Sequence, residues 1–318
     1  MRIATHIGEP TDSKLRLAKQ MGLSDIVAGP PRTESGEMPT VEDWERLRRK
    51  VESHELTLSV IETIPISDRA MLGLPGRDED IQSFCQSVLR MGAADIPILC
   101  YNWMPVLHAF RTSRNKRIRG GARATAYDHA LLEDAPLTEA GEVSAEQLWE
   151  SLSYFLEIVV PVAEEAGVKL AMHPDDPPIS PIRGMARIMS TPEAFQELID
   201  LVPSPNNGIT FCQGCFAEMG VDVPETIRYF GEQKKIFFAH FRNVRGAVPS
   251  FYETFHDEGD TDMFAALKAY CDVGFDGPMR PDHYPAMEGE EVGEWHVKGR
   301  LFAVGYMKGL LEGVQRAC

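Results

Sequence analysis

Four short stretches of the chain each end an apolar run on a side chain able to bind a metal ion. Leu170-Ala171-Met172 leads into His173 and then Pro174-Asp175-Asp176-Pro177-Pro178. The run "GITF" leads to Cys212-Gln213-Gly214, "IFFA" to His240-Phe241-Arg242-Asn243, and "GPM" to Arg280-Pro281-Asp282-His283. Each residue alone has an ordinary explanation. A strand-end histidine is usually a hydrogen-bonded structural group, and a buried cysteine is a small hydrophobe. Ligand types at the ends of four consecutive strands are harder to dismiss. They make His173, Cys212, His240 and Asp282 the candidate ligands of one divalent cation. Such a set suits Zn²⁺, Mn²⁺, Fe²⁺ or Co²⁺, and the thiolate argues against Mg²⁺ or Ca²⁺.

Other residues cluster around this pattern. Arg242, Arg245 and Arg280 stand beside proposed ligands and are expected to contact an anion. Glu62 and Asn102 end two earlier apolar runs and would face the same mouth, where strand-end capping is their simpler role. The spacing Cys212-x-x-Cys215 invites a redox or zinc-ribbon reading. A ribbon needs a second cysteine pair, so Cys215 is expected to be incidental. The basic run from Arg111 to Arg123 reads as a surface loop or as a lid over a carboxylate substrate.

The elements that deliver these residues alternate regularly. Short β-rich runs start near Arg2, Ser24, Leu56, Asp95, Lys169, Asn207, Lys235 and Gly277. Amphipathic stretches follow at about 11–22, 41–54, 78–91, 144–167, 192–201, 223–231, 261–273 and 298–315. Ser144 with Gln147 resembles a capping box, and Pro161 suggests a kink or break. Eight strand-then-helix units imply parallel strands with right-handed crossovers, hence an α/β fold of the (β/α)₈ TIM-barrel type. A single domain over 1–318 is expected, with an irregular insertion at 108–145 after the fourth strand. A doubly wound sheet is the alternative, but no G-x-G-x-x-G follows the first strand. In a barrel, chemistry sits where strands end and βα loops begin.

Composition narrows the partners. The 318 residues are 43% hydrophobic with a net charge of −16, which argues against nucleic acid. No apolar run reaches the ~18 residues that span a bilayer, and the N-terminus lacks a signal-peptide layout. Six scattered cysteines fit a reduced cytoplasmic setting. A small-molecule substrate and a homodimer are expected.

Longer words of the sequence carry a resemblance. "CYNWMPVL", "VVPVAEEAGVKLAMHPDDPP", "GITFCQG", "HFRNVRG", "FHDEGDTDM", "RPDHYPAM" and "GRLFAVGYMKGLLE" resemble the mannonate dehydratase family, within the xylose-isomerase-like TIM barrels. The resemblance spans nearly the whole chain in order. It implies a Mn²⁺-dependent lyase that dehydrates D-mannonate to 2-keto-3-deoxy-D-gluconate in hexuronate breakdown. It implies the same four ligands, and it places His283 in catalysis. Two departures stand out. The family's Gly-Tyr pair ahead of Gly299-Arg300 here reads Glu294-Trp295, and an indole cannot transfer a proton as a phenol does. Trp295 would instead pack against the substrate, with Tyr284 and His296 near at hand. The insertion is also shorter than in some relatives. These departures keep a related metal-dependent sugar isomerase or epimerase as the rival reading. A non-catalytic derivative would have lost ligands, and all four are present.

Overall fold

The computed structural model describes residues 1–33, 37–291 and 296–316. Its strands are β1 (Arg2–Gly8), β2 (Asp25–Ala28), β3 (Thr57–Glu62), β4 (Ile98–Tyr101), β5 (Ser113–Arg117) and β6 (Arg123–Asp128). They continue as β7 (Lys169–Met172), β8 (Asn207–Cys212), β9 (Ile236–Phe241), β10 (Val244–Ala247), β11 (Ser250–Glu253) and β12 (Pro278–Pro281). The helices are α1 (Asp12–Gln20), α2 (Val41–Glu52), α3 (Asp68–Met71), α4 (Arg77–Ala93) and α5 (Ala145–Ala166). They continue as α6 (Pro192–Leu201), α7 (Gln213–Glu218), α8 (Val223–Glu232), α9 (Met263–Asp272) and α10 (Lys298–Gln315).

Eight strands close a parallel barrel in the order β1-β12-β9-β8-β7-β4-β3-β2. All eight expected barrel strands are in it. Side chains alternate between helices and lumen along each strand. The helix-facing set, including Leu58, Leu99, Leu170, Ile209 and Phe211, joins the main apolar core. Ala4, Val27, Val60, Cys100, Ala171 and Phe238 form a separate buried cluster, the lumen. Counting on by two from that cluster reaches His6, Glu62, Asn102, His173 and His240. The parity that fills the barrel therefore also aims these side chains inward at its mouth.

The insertion is not irregular. β5 and β6 pair antiparallel, and β6 pairs with β11 of the β10–β11 hairpin that follows β9. The result is a four-stranded sheet of order β10-β11-β6-β5. Arg123 exchanges both backbone hydrogen bonds with Ala286 at 2.9 and 2.8 Å, which ties this sheet to the loop beyond β12. It thus caps the C-terminal mouth. Tyr127 and Phe251 stack at 5.9 Å between its strands.

The longest helix, α5, runs unbroken through Pro161. Pro161 lies on its exposed side, so the carbonyl that loses its donor faces water and the expected break does not occur. On the opposite face Phe155 is fully buried against Phe84 at 5.2 Å and Trp103 at 5.0 Å. Among the described residues, no helix is long and apolar enough to cross a membrane. Phe155→Ala should cost about 3–5 kcal/mol in denaturant unfolding. A loss under ~1 kcal/mol would mean that the α4–α5 layer collapses into the space.

Candidate active site

β8, β9 and β12 bring their last lumen-facing residues into one row, with Cys212 beside His240 and His240 beside Arg280. His173 and Asp282 lie just past β7 and β12. Each is fixed by a backbone hydrogen bond to a neighbouring strand, His173 to Tyr101 at 2.7 Å and Asp282 to Phe241 at 3.1 Å. The four side chains meet. His173 Nε2 is 3.2 Å from His240 Nδ1, and His240 Nδ1 is 3.5 Å from Asp282 Oδ2. Ligand atoms of Cys212, His240 and Asp282 lie within 4.8 Å of one another, as do those of His173, Cys212 and Cys215.

The donor set fits a cation. His173 Nδ1 donates to the Pro174 carbonyl at 2.7 Å, which leaves Nε2 with a lone pair. His240 Nε2 faces Glu62 Oε1 at 3.5 Å, which favours the proton there and a lone pair on Nδ1. Ring nitrogens of metal-binding histidines are held this way, with the far N–H on a carbonyl or carboxylate. Two lone pairs 3.2 Å apart, beside a thiol and a carboxylate, call for positive charge between them. Burial alone would push the His240 imidazole down, yet the Glu62 and Asp282 carboxylates outweigh it and lift its pKa to about 10, so the place beside Nδ1 draws positive charge, as a proton on that nitrogen or as a cation in the proton's stead. Burial likewise opposes the Cys212 thiolate, but the Cys215 thiol, the Arg242 guanidinium and both histidines hold it well below the usual thiol range.

The arginines do something other than expected. Arg242 is fully buried and spends its donors inside the protein. It reaches Asp176 at 3.2 Å, Glu253 at 2.6 and 3.0 Å, and Glu218. Its Nη1 also lies 3.1 Å from Cys215 Sγ and 3.6 Å from Cys212 Sγ. It is not placed to bind a substrate anion, because α7 and β11 close over it. Gly214 makes room: a Cβ there would fall 2.4 Å from Arg242 Cδ. Cys215 is correspondingly not incidental, since it touches both Arg242 and Cys212. Arg280 grips Glu62 at 2.6 and 2.9 Å and Asp282 at 2.6 Å, so it positions a ligand carboxylate. Arg245 is turned outward toward the Glu258 carbonyl.

Arg111, the first arginine of the basic run, completes the buried network at 2.6 Å from Asp176 and 2.8 Å from Glu253. Arg119 and Arg123 pair with Asp257 and Glu291 at 2.9 and 2.8 Å. These three therefore fasten the cap. Burial and the nearby Asp176 carboxylate push Glu218 well up against the pull of Arg242.

His283 sits above this base, with a third of its side chain exposed. Its Nδ1 is 3.2 Å from Glu253 Oε1, and its Nε2 is 3.7 Å from Asp282 Oδ2. It lines a small cavity together with Tyr284 and His296. Asn102 stays at the mouth, where its Oδ1 accepts from the Met104 amide at 3.4 Å. Trp295 lies outside the described residues. Sequence reasoning missed Glu253, Glu218 and His6. His6 lies two residues before the end of β1 with the lumen parity, which is the signal that finds it. Its imidazole is pushed down to about 4 by burial.

The family model described as D-mannonate dehydratase (UxuA) matches residues 1–140 and 136–318. The chain is 36% identical to mannonate dehydratase 2 of Halalkalibacterium halodurans, covering 99% of each. It is 37% identical to the mannonate dehydratase of Thermotoga petrophila, covering 88% of each. The protein belongs to the mannonate dehydratase family. The crystal structure of mannonate dehydratase from Streptococcus suis serotype 2 superposes with a TM-score of 0.93 at 33% identity, covering 100% of this chain and 95% of that one. A D-tagatose 3-epimerase-like protein, at 14% identity and TM-score 0.66, shares the barrel alone. Membership in the mannonate dehydratase family makes the chain a hydro-lyase.

Two measurements test the site. Cys212→Ser should lower the content of a thiophilic metal such as Zn²⁺ or Co²⁺ more than that of Mn²⁺, read by elemental analysis. Unchanged content would remove Cys212 from the ligand set. Arg242→Met should lose about 3–5 kcal/mol of unfolding stability, because it strands buried carboxylates. A change within about 0.5 kcal/mol would return Arg242 to a solvent-facing role.

Proposed function

We propose that the protein dehydrates D-mannonate to 2-keto-3-deoxy-D-gluconate, with Mn²⁺ held by His173, Cys212, His240 and Asp282. The observation that carries this reading is the convergence of those four side chains beside His283. Fe²⁺, Co²⁺ or Zn²⁺ would suit the same donors. When bound, the cation supplies Lewis acidity toward the sugar-acid carboxylate.

The chain's own groups handle protons and position. Breaking C2–H and expelling the C3 hydroxyl, protonated, as one water leaves an enol, which ketonises to the 2-keto-3-deoxy acid as a proton is added at C3. His283 is assigned to the C2 proton. Glu253 at its Nδ1 fixes the ring, as a carboxylate does in other histidine bases, and leaves Nε2 to exchange a proton. Tyr284 and His296 share its cavity and are the groups assigned to the departing hydroxyl. Arg280 and Glu62 keep Asp282 and His240 in place. The cap keeps bulk water off the buried network, which strengthens each electrostatic contact there. A cytoplasmic setting is the location we infer, supported by the free thiols among the described residues. A homodimer is the assembly we infer.

Mn²⁺-loaded protein should be offered a panel of C5 and C6 aldonates and the matching ketoses. The expected product is a 2-keto-3-deoxy acid, formed fastest from D-mannonate. Isomerised sugar without any keto-deoxy acid would favour the epimerase-type reading. His283→Asn should lose about 10²-fold or more in kcat while keeping its metal. Near-normal turnover in that variant would take His283 out of the reaction.

A further inference from the structure

Cys215 is the nucleophilic side chain that the proposed reaction leaves unused. It is fully buried, with its Sγ within 4.8 Å of the ligand atoms of Cys212 and His173. Cys212 caps α7 and Cys215 stands in its first turn. A disulfide needs Cα atoms about 4.4–6.8 Å apart, which residues three apart on one helical turn satisfy. Arg242 Nη1 contacts both sulfurs, at 3.6 and 3.1 Å, and so holds the pair on one side of the site. The other described cysteines are placed differently. Cys85 and Cys271 belong to the helix layer, and Cys100 accepts from Thr210 at 3.2 Å deep in the lumen.

We propose that Cys212 and Cys215 form a reversible disulfide that competes with the metal for Cys212. The oxidant class is a hydroperoxide, of which hydrogen peroxide is the smallest. The Cys212 thiolate attacks the peroxide: an S–O bond forms, the O–O bond breaks, and hydroxide leaves for hydrogen peroxide itself. Cys215 sulfur then attacks the sulfenic sulfur of Cys212. The S–S bond forms, the S–O bond breaks, and the Cys215 proton departs with the hydroxyl as water. Two electrons pass from the sulfur pair to the peroxide. The oxidised site has lost its thiolate donor, so it keeps His173, His240 and Asp282 alone. A dithiol reverses the step by exchange through a mixed disulfide. The competition rests on Cys212 being a metal ligand, as proposed above, whereas the closeness of the pair does not.

The test uses the full-length chain, reduced, with and without Mn²⁺, and exposed to equimolar hydrogen peroxide. Alkylation and peptide mapping then read the cysteines. The expected result in metal-free protein is a cross-linked Cys212–Cys215 peptide that dithiothreitol opens. Mn²⁺ at a hundred times its Kd should slow its formation about 100-fold, since only the metal-free fraction reacts. Equilibrium dialysis should show that oxidised protein loses most of its Mn²⁺ and regains it on reduction. In Cys215→Ser, one equivalent of peroxide should leave Cys212 as a sulfenic acid, and a second equivalent should carry it to sulfinate that dithiothreitol does not reverse. A cross-link to Cys100, or oxygen adducts on Cys212 in the unmodified sequence, would overturn the pairing. A cross-link that forms equally fast with Mn²⁺ bound would overturn the competition and would count against Cys212 as a ligand. Absence of any cross-link, with Mn²⁺ still lost from Cys212→Ser, would sink the switch and leave the ligand assignment standing.

Discussion

A guanidinium buried under the ligand row sets the conditions for everything above it. Arg242 has no exposed surface, so each of its donors must be satisfied internally or the fold pays several kcal/mol. The partners come from separate segments: Asp176 beyond β7, Glu218 on α7 and Glu253 on β11. Arg111 reaches in from the insertion to the same carboxylates. A buried network of this kind adds little net stability over apolar packing. What it supplies is registration, because a half-satisfied version is costly. It fixes β11 against the barrel, and with it the Glu253 carboxylate that orients His283. It also fixes the sulfur of Cys212. The geometry of the ligand row is thus maintained from below as much as from the strands that carry it.

Much of this was legible in the sequence. The eight strand-helix units were readable because their lengths and apolar patterns are regular, and the meeting of His173, Cys212, His240 and Asp282 at one mouth was readable because each follows a buried run. The cap was not. β5 reads Ser-Arg-Asn-Lys-Arg, with no apolar alternation to mark it as a strand. Its sheet is completed by a hairpin more than a hundred residues later. Such pairing depends on long-range contacts that no local pattern encodes. The misreading of Arg242 has the same origin. An arginine next to a ligand looks like an anion contact until α7 and β11 are known to cover it. Glu218 and Glu253 were invisible because acidic residues in a strongly acidic chain carry no signal by type. Gly214 is the one local clue, since a glycine inside a short helix marks a close approach.

Fold and chemistry separate cleanly in the comparisons. Sugar epimerases share the barrel at 10–14% identity, and such a likeness says nothing about which bond is broken. The chemistry has to be read from the side chains at the mouth. Cys212 is a soft donor in a row otherwise made of imidazole and carboxylate. Next to it the Cys215 thiol shares the contact with Arg242. The candidate ligand row therefore has two neighbouring sulfurs beside its imidazoles and carboxylate.

The cap joins β5 and β6 from the first half of the chain to β10 and β11 from the second. Such a roof has no single owner. A graft that moves residues 108–145 into another barrel carries half a sheet and leaves Arg111 without Glu253. A ribosome-bound chain has the mirror-image problem, for β5 and β6 emerge long before their partner strand is made. The roof is consequently not an exchangeable cassette. Variation in what the mouth admits has to arise by paired change on both sides of the β6–β11 seam.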